Sequence, residues 1–244
     1  MSHLLTLQQK GVIVLKNIFN FEQLFQLRQV TEKCFNDIEI LIKEKGINQV
    51  NNYLPSSYNF LPHVTSLNIS ALNDYDSQII TDILSLIKNS LIQQILVQIM
   101  GENLKIKLDQ CWLRKQYAPS NYHNLHQPHR WHQDGALGLK FPLISEDQYV
   151  DIPLTNLITL WLPLTDCGMD RPGLQFITKY LKKPLHFNYL KEEILREKFS
   201  FEDFYTPELN RGDAVIFLNG TLHQTYVNST MKNDRISIEF RFFL

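Results

Sequence analysis

Two side chains that can hold a metal stand two residues apart in Trp131-His-Gln-Asp-Gly135. In an extended segment alternate side chains share a face, so His132 and Asp134 would converge on one point. A third ligand must come from elsewhere in the fold. His223, in the strand-like run Leu222-His-Gln-Thr-Tyr-Val227, supplies one. Two neutral imidazoles and one carboxylate cover one face of an octahedral ion and leave the other face open, the donor set of non-haem iron(II) oxygenase sites. The same donors also take nickel, cobalt or zinc. A His-x-Asp pair alone is as well explained by two common polar residues in a turn. A distal histidine followed by an arginine strand tips the balance toward a functional site.

Arg235 provides that strand. It follows His223 by 12 residues, after a hairpin loop around 228–234. The run Arg235-Ile-Ser-Ile-Glu-Phe-Arg-Phe alternates, placing Arg235 and Ser237 on one face and Ile236, Ile238 and Phe240 on the other. A planar, permanently charged guanidinium suits bidentate binding of a carboxylate; the plainer alternative is an edge-strand arginine in solvent. Iron(II), one carboxylate, two neutral histidines and Arg235 sum to +2, which a 2-oxoglutarate dianion would cancel. A partly desolvated site tolerates such a matched set better than an unpaired charge.

Other candidates are weaker. His123, His126, His129 and His132 are spaced by three, but Asn, Gln and Pro surround the first three and no cysteine lies near, so a zinc cluster is disfavoured. His123 and His126 read as loop residues, and His129 and Arg130 as neighbours of a pocket mouth. Tyr53, Tyr58 and Phe60 could line a lid or pack under a loop. Lys140, Arg171 and Arg241 are candidates for binding an acidic substrate, against a plain reading of surface exposure.

The elements that must position these residues divide by texture. Up to about Gly101 the chain reads as mainly helical. A strand over 11–16 precedes a helix whose apolar positions run from Leu24 to Leu41, and a second helical region spans about 77–100. The segment 51–74 reads as a loop. Beyond Gly101 strands are expected at 105–116, 130–134, 157–164, 174–178, 214–218, 222–227 and 235–243, with a helical insert near 191–204. Many short strands with polar turns indicate a jelly roll. The fold class is therefore α+β with a mainly β core. One domain over 1–244 is expected, helical over about 1–101 and jelly roll over about 102–244.

Lys plus Arg total 24 and Asp plus Glu 25, a net charge of −1 that leaves no footprint for nucleic acid or an anionic membrane. Three cysteines without a C-x-x-C pair fit a reducing compartment. No apolar stretch approaches the roughly 20 residues of a membrane span, and no secretory signal opens the chain. The expectation is a cytoplasmic monomer or homodimer with no membrane or nucleic-acid partner.

At this point the chain resembles the phytanoyl-CoA dioxygenase family of iron/2-oxoglutarate oxygenases. Gly11-Val-Ile-Val-Leu-Lys-Asn followed by a helix is similar to that family's opening. Trp131-His-Gln-Asp-Gly is similar to its iron motif, Gly212-Asp-Ala-Val-Ile-Phe-Leu precedes the distal histidine as in the family, and the final Arg-x-Ser strand fits. The resemblance implies a double-stranded β-helix, cupin-like, with N-terminal helices packed on the larger sheet. It implies Fe(II) ligation by His132, Asp134 and His223, and binding of the 2-oxoglutarate carboxylate by Arg235. It also implies that Thr225 assists Arg235, that Trp161 lies near the co-substrate, and that Gln110 contacts it from a pocket-lining strand. One departure is Pro172-Gly-Leu-Gln-Phe-Ile-Thr-Lys, where a Gly-Leu start survives from the family's Gly-x-Leu-x-x-x-Pro-Gly-Ser-His segment but the Pro-Gly-Ser-His end does not.

The implied reaction is O2-dependent hydroxylation of a small molecule. Asp134 argues against halogenation, because related halogenases replace this carboxylate with a small residue. Desaturation, ring closure and epimerisation would use the same residues. Competing readings are a protein side-chain hydroxylase, a non-catalytic metal- or ligand-binding module of the same fold, and a cupin-like enzyme without 2-oxoglutarate. A solvent-facing Arg235 would indicate the last.

Overall fold

The computed structural model describes residues 3–54, 60–61, 65–74, 77–121, 128–142 and 148–244. Its N-terminal part holds the helices α1 (His3–Lys10), α2 (Phe21–Lys45), α3 (Ile79–Leu86) and α4 (Ser90–Met100), and the strands β1 (Val12–Leu15), β2 (Phe60–Leu61) and β3 (Ser66–Asn68). Then follow β4 (Lys105–Ile106), β5 (Trp112–Gln116), β6 (Leu157–Pro163), β7 (Gly173–Ile177), α5 (Glu192–Lys198), β8 (Phe204–Tyr205), β9 (Ala214–Leu218), β10 (His223–Tyr226) and β11 (Arg235–Phe243). An antiparallel sheet runs in the order β1-β9-β6-β11-β5-β3-β2, with β4 also paired to β11. A second sheet runs β10-β7-β8. Two antiparallel sheets with helices on the larger one make the expected jelly roll.

Strand alternation sorts the side chains into two layers. On β11, Ile236, Ile238, Phe240 and Phe242 face the helices, with Ile158, Leu160 and Leu162 of β6 and Ile216 of β9. Leu24, Leu27, Phe35 and Ile38 of α2 and Ile92, Ile95 and Leu96 of α4 close over that face. Each such fully buried aliphatic side chain contributes about 1.5–3 kcal/mol. The opposite face carries Trp161, Val215 and Phe217, which meet Leu174 and Phe176 of β7 between the sheets. The polar residues of β11, Arg235, Ser237, Glu239 and Arg241, are all buried on this inner side.

Several expected boundaries differ. The first helix, α1, was not anticipated; it packs Leu7 into the core and stops at Gly11, whose φ is +76°. The helical region 77–100 is two helices bent by 70°, because the Asn89 side chain accepts from Leu91 N and Ile92 N and so starts a new helix. No single helix among the described residues is long and apolar enough to cross a membrane. The 51–74 loop contains β2 and β3, and Phe60 is buried in the helix-side core instead of lining a lid. Tyr53 is exposed under Lys45, and Tyr58 lies outside the described residues. The 105–116 strand is interrupted by a 3-10 turn at Leu108–Gln110, and the helical insert narrows to Glu192–Lys198 with a 3-10 turn at Phe201–Asp203.

Candidate metal centre

The segment 130–134 is not the expected strand. It makes one antiparallel bridge, His132 to His223, through His132 N to His223 O and His223 N to His132 O, each 3.0 Å. Asp134 then opens a 3-10 turn. Gln133 between them is extended (φ −122°, ψ 126°), so His132 and Asp134 share a face as alternation predicts, although the extended stretch is a single bridge followed by a turn and not a five-residue strand. Gly135 N donates to Asn219 O (2.9 Å), and a Cβ at Gly135 would lie 2.7 Å from Asn219 Cβ, so this glycine permits the close approach of the two segments. The buried Gln133 clamps both sides: its Nε2 donates to Gly220 O (2.9 Å) and its Oε1 accepts from Leu185 N (2.7 Å). Sequence reading assigned Gln133 no role.

One ligand atom from each of His132, Asp134 and His223 lies within 4.8 Å of the others. His132 Nε2 is 3.6 Å and His223 Nε2 3.7 Å from Asp134 Oδ1. His132 Nδ1–H donates to Arg130 O (2.7 Å) and His223 Nδ1–H to Thr221 O (3.0 Å). These bonds fix the tautomer and leave both Nε2 atoms unprotonated and beside Asp134, with His132 Nε2 also within 3.1 Å of His129 Nδ1. Asp134 is held at both oxygens: Oδ2 accepts from Thr159 Oγ1 (2.6 Å) and Oδ1 from Arg241 Nη2 (3.2 Å).

The electrostatics keep this cluster ready for a cation. Burial pushes the Asp134 carboxyl up, but Arg241, the two histidines and Thr159 together outweigh it and hold it well below the usual carboxylate range. Burial, then His223 and His129, drives His132 well below 6.5. His129, with Nδ1 3.1 Å from His132 Nε2, is lowered to about 4, first by burial and then by Arg114. Neutral imidazole and ionised carboxylate are the forms a metal binds.

Arg235 lies in the interior of the main sheet, opposite Gln116 of β5, and is 2% exposed, not a solvent-facing edge residue. Its Nε and Nη1 are buried without a hydrogen-bond partner, as is Ser237 Oγ. Its guanidinium lies 5.2 Å from the Trp161 ring centre. A narrow cavity brings Arg235, Thr225 and Trp161 together with His132 and His223. Orphaned donors on a buried cation call for a buried anion, and a carboxylate meets both needs. The residues present therefore fit a metal with an anionic co-substrate beside it. A larger groove of about 310 Å³ lies elsewhere, beside β1 and β8, away from this cluster.

Other sequence candidates fall outside the cavity. Gln110 is half-buried in the 3-10 turn before β5, not on a lining strand, because Cys111 N closes back on Leu108 O there. Arg241, considered for substrate binding or surface exposure, is 6% exposed and bonded to Asp134 and Glu239. Lys140 is exposed, and Arg171 pairs with its neighbour Asp170. His123 and His126 lie outside the described residues.

Arg114 and Glu239, like Gln133 and Thr159, are functional-site residues that sequence reading missed. Both line the cavity. Glu239 accepts from Arg114 Nε (2.9 Å) and Nη2 (3.3 Å) and pairs with Arg241 Nη2 at 2.7 Å. Burial pushes its carboxyl up, and the two arginines outweigh that to lower it. Strand parity with Arg235 places Glu239 on the inner face and could have found it; Arg114 required knowing that β5 pairs with β11. These residues revise the charge count, because the site carries three arginines against two carboxylates.

A model of the phytanoyl-CoA dioxygenase family matches residues 7–237. No curated protein matches the chain. Among solved structures, EctD from S. alaskensis with bound Fe is similar at 14% identity and a TM-score of 0.67, covering 100% of this chain and 76% of that one. The epimerase SnoN from nogalamycin biosynthesis is similar at 13% identity and a TM-score of 0.56, covering 98% and 80%. HygX from Streptomyces hygroscopicus, with nickel and 2-oxoglutarate bound, is similar at 11% identity and a TM-score of 0.58, covering 100% and 86%. With a helix-backed jelly roll, a His-Asp-His cluster and a family match over nearly its whole length, this chain belongs to the phytanoyl-CoA dioxygenase family of iron(II)- and 2-oxoglutarate-dependent oxygenases.

Proposed function

We propose that this oxygenase hydroxylates an unactivated C–H bond of a small molecule, with iron(II) on His132, Asp134 and His223. Arg235, assisted by Thr225, binds the far carboxylate of 2-oxoglutarate, with Trp161 beside it. The observation that carries this reading is the buried Arg235, its Nε and Nη1 unpartnered, in the same cavity as the two histidines. A cupin-like enzyme without 2-oxoglutarate would have no use for such a group. A small-molecule substrate is supported by relatives seen with 5-hydroxyectoine, for EctD, and with nogalamycin RO, for SnoN.

Iron(II) with 2-oxoglutarate and dioxygen supplies an oxidant strong enough to cleave a C–H bond, with release of succinate and carbon dioxide. The chain's own residues bind and orient. Arg130 O and Thr221 O fix the two imidazoles, and Thr159 and Arg241 fix the carboxylate, so the open face keeps one direction. Trp161, Leu174 and Phe217 give the cavity an apolar wall. The test is turnover: iron(II)-loaded protein should convert 2-oxoglutarate to succinate with matching oxygen uptake, and Asp134→Ala should not. Wild-type protein with full iron occupancy and no succinate would refute the reading.

A further inference from the structure

The cavity holds more positive charge than iron and 2-oxoglutarate account for, an inference that rests on the function just proposed. Its charged lining side chains are Arg114 and Arg235 against Glu239, a sum of +1; Arg241 and Asp134, bonded to that set from outside the lining, add one charge of each sign and leave the sum at +1. Iron(II) raises this to +3, and the 2-oxoglutarate dianion returns it to +1. A buried charge without a counterion is strongly unfavourable.

The pairing shows which guanidinium carries the surplus. Arg235 is assigned to 2-oxoglutarate. Arg241 is enclosed between Asp134 (3.2 Å) and Glu239 (2.7 Å). Glu239 is thus one carboxylate shared by two arginines. Arg114 gives Nε and Nη2 to it and Nη1 to Ser66 Oγ (2.7 Å), using three of its five N–H groups. Its side chain is 15% exposed, against 8% for Arg241, and it lines the cavity beside His129 and His132. A cation with donors to spare and a half-share of a counterion is built to receive an anion.

We propose that Arg114 is a specificity-determining residue that binds a carboxylate on the primary substrate, so that the enzyme oxidises organic acids in preference to their neutral analogues. The carboxylate at Arg114 would anchor the substrate beside His129 and His132, next to the metal cluster. Glu239 tunes the site, holding Arg114 in place and limiting the surplus to one charge.

The test uses the anaerobic iron(II) protein saturated with 2-oxoglutarate, read by its visible charge-transfer band. Propionate, benzoate and N-acetylglycine are titrated beside their primary amides. At least one acid should shift the band with an affinity ten-fold or more above its amide. Arg114→Gln should keep the band and erase the preference, and Arg114→Lys should restore part of it. Glu239→Gln, which raises the surplus to +2, should tighten acid binding several-fold. Arg241 still neutralises Glu239 in the Arg114 variants, so they should fold, and melting curves check this. Acids no better than amides, no shift with any acid, or a preference that survives Arg114→Gln would overturn the inference. Absence of the band before any probe is added is a separate result; it defeats the co-substrate assignment and this inference with it.

Discussion

Replacing Arg235 with methionine should strengthen the metal-free fold while abolishing co-substrate binding. Burial pulls the guanidinium down from its ordinary value to about 10. At about 1.4 kcal/mol per pH unit, keeping it charged at neutral pH costs on the order of 3 kcal/mol. Arginine is a base with its folded pKa below its unfolded one, so from about pH 10 up to the ordinary guanidinium value the unfolded chain holds the proton more often. Stability therefore rises with pH across that window, and the penalty is present in full below about pH 10. Methionine retains much of the buried stem but gives up the contact with Trp161, worth about 0.5–2 kcal/mol. The net gain should be about 1–3 kcal/mol, or a rise in Tm of roughly 2–10 °C for a chain of this length. In the same variant 2-oxoglutarate should bind at least ~100-fold more weakly, since a charge-assisted pair worth about 3 kcal/mol is gone. Urea unfolding of the metal-free proteins gives the first quantity, and 2-oxoglutarate titration of the iron(II) proteins the second. A methionine variant that is less stable than wild type, or that binds 2-oxoglutarate normally, would refute the reasoning.

Further consequences concern the metal cluster. His129 is neutral in the folded state down to about pH 4 but near 6.5 in the unfolded chain, so the metal-free fold should lose up to about 3 kcal/mol as pH falls from 6.5 to 4. His129→Gln should flatten that slope in urea titrations at stepped pH; an unchanged slope would contradict the assignment. Thr159→Val removes the hydroxyl that donates to Asp134 Oδ2 and should weaken cobalt(II) binding by about ten-fold with little change in melting temperature. Equal cobalt affinity in the two proteins would show that this bond does not position the carboxylate. Gly135→Ala puts a Cβ 3.0 Å from two carbonyl oxygens, of Asn219 and Thr155, and should cost about 1–3 kcal/mol while loosening metal binding, checked by melting curves and metal titration. A variant as stable as wild type would mean the two segments can separate freely.

The sequence made some of this visible through period and order alone. The two-residue period of Arg235 to Phe243 correctly divided a helix-facing apolar side from an inner polar side, because a buried strand leaves no freedom in register. Apolar spacing likewise located α2 and the region of α3 and α4. Other features depended on long-range partners. The Asn89 cap splits what reads as one periodic helix, and the Leu108–Gln110 turn takes Gln110 off the strand. Alternation through the extended Gln133 does put His132 and Asp134 on one face, but the bridge that brings His223 to them and the turn that begins at Asp134 are long-range features the sequence does not show. Arg241 looked like a surface cation only because the sequence does not show that Asp134 and Glu239 close around it.

The central claim is that one cavity binds both iron(II) and 2-oxoglutarate, and the charge-transfer band of the anaerobic complex tests it most directly. Wild-type protein loaded with iron(II) should develop the band on addition of 2-oxoglutarate, His223→Ala should lack it, and Arg235→Ala should need far more co-substrate to form it. A folded, iron-occupied wild-type protein with no band, or a band that survives loss of His223, would contradict the account.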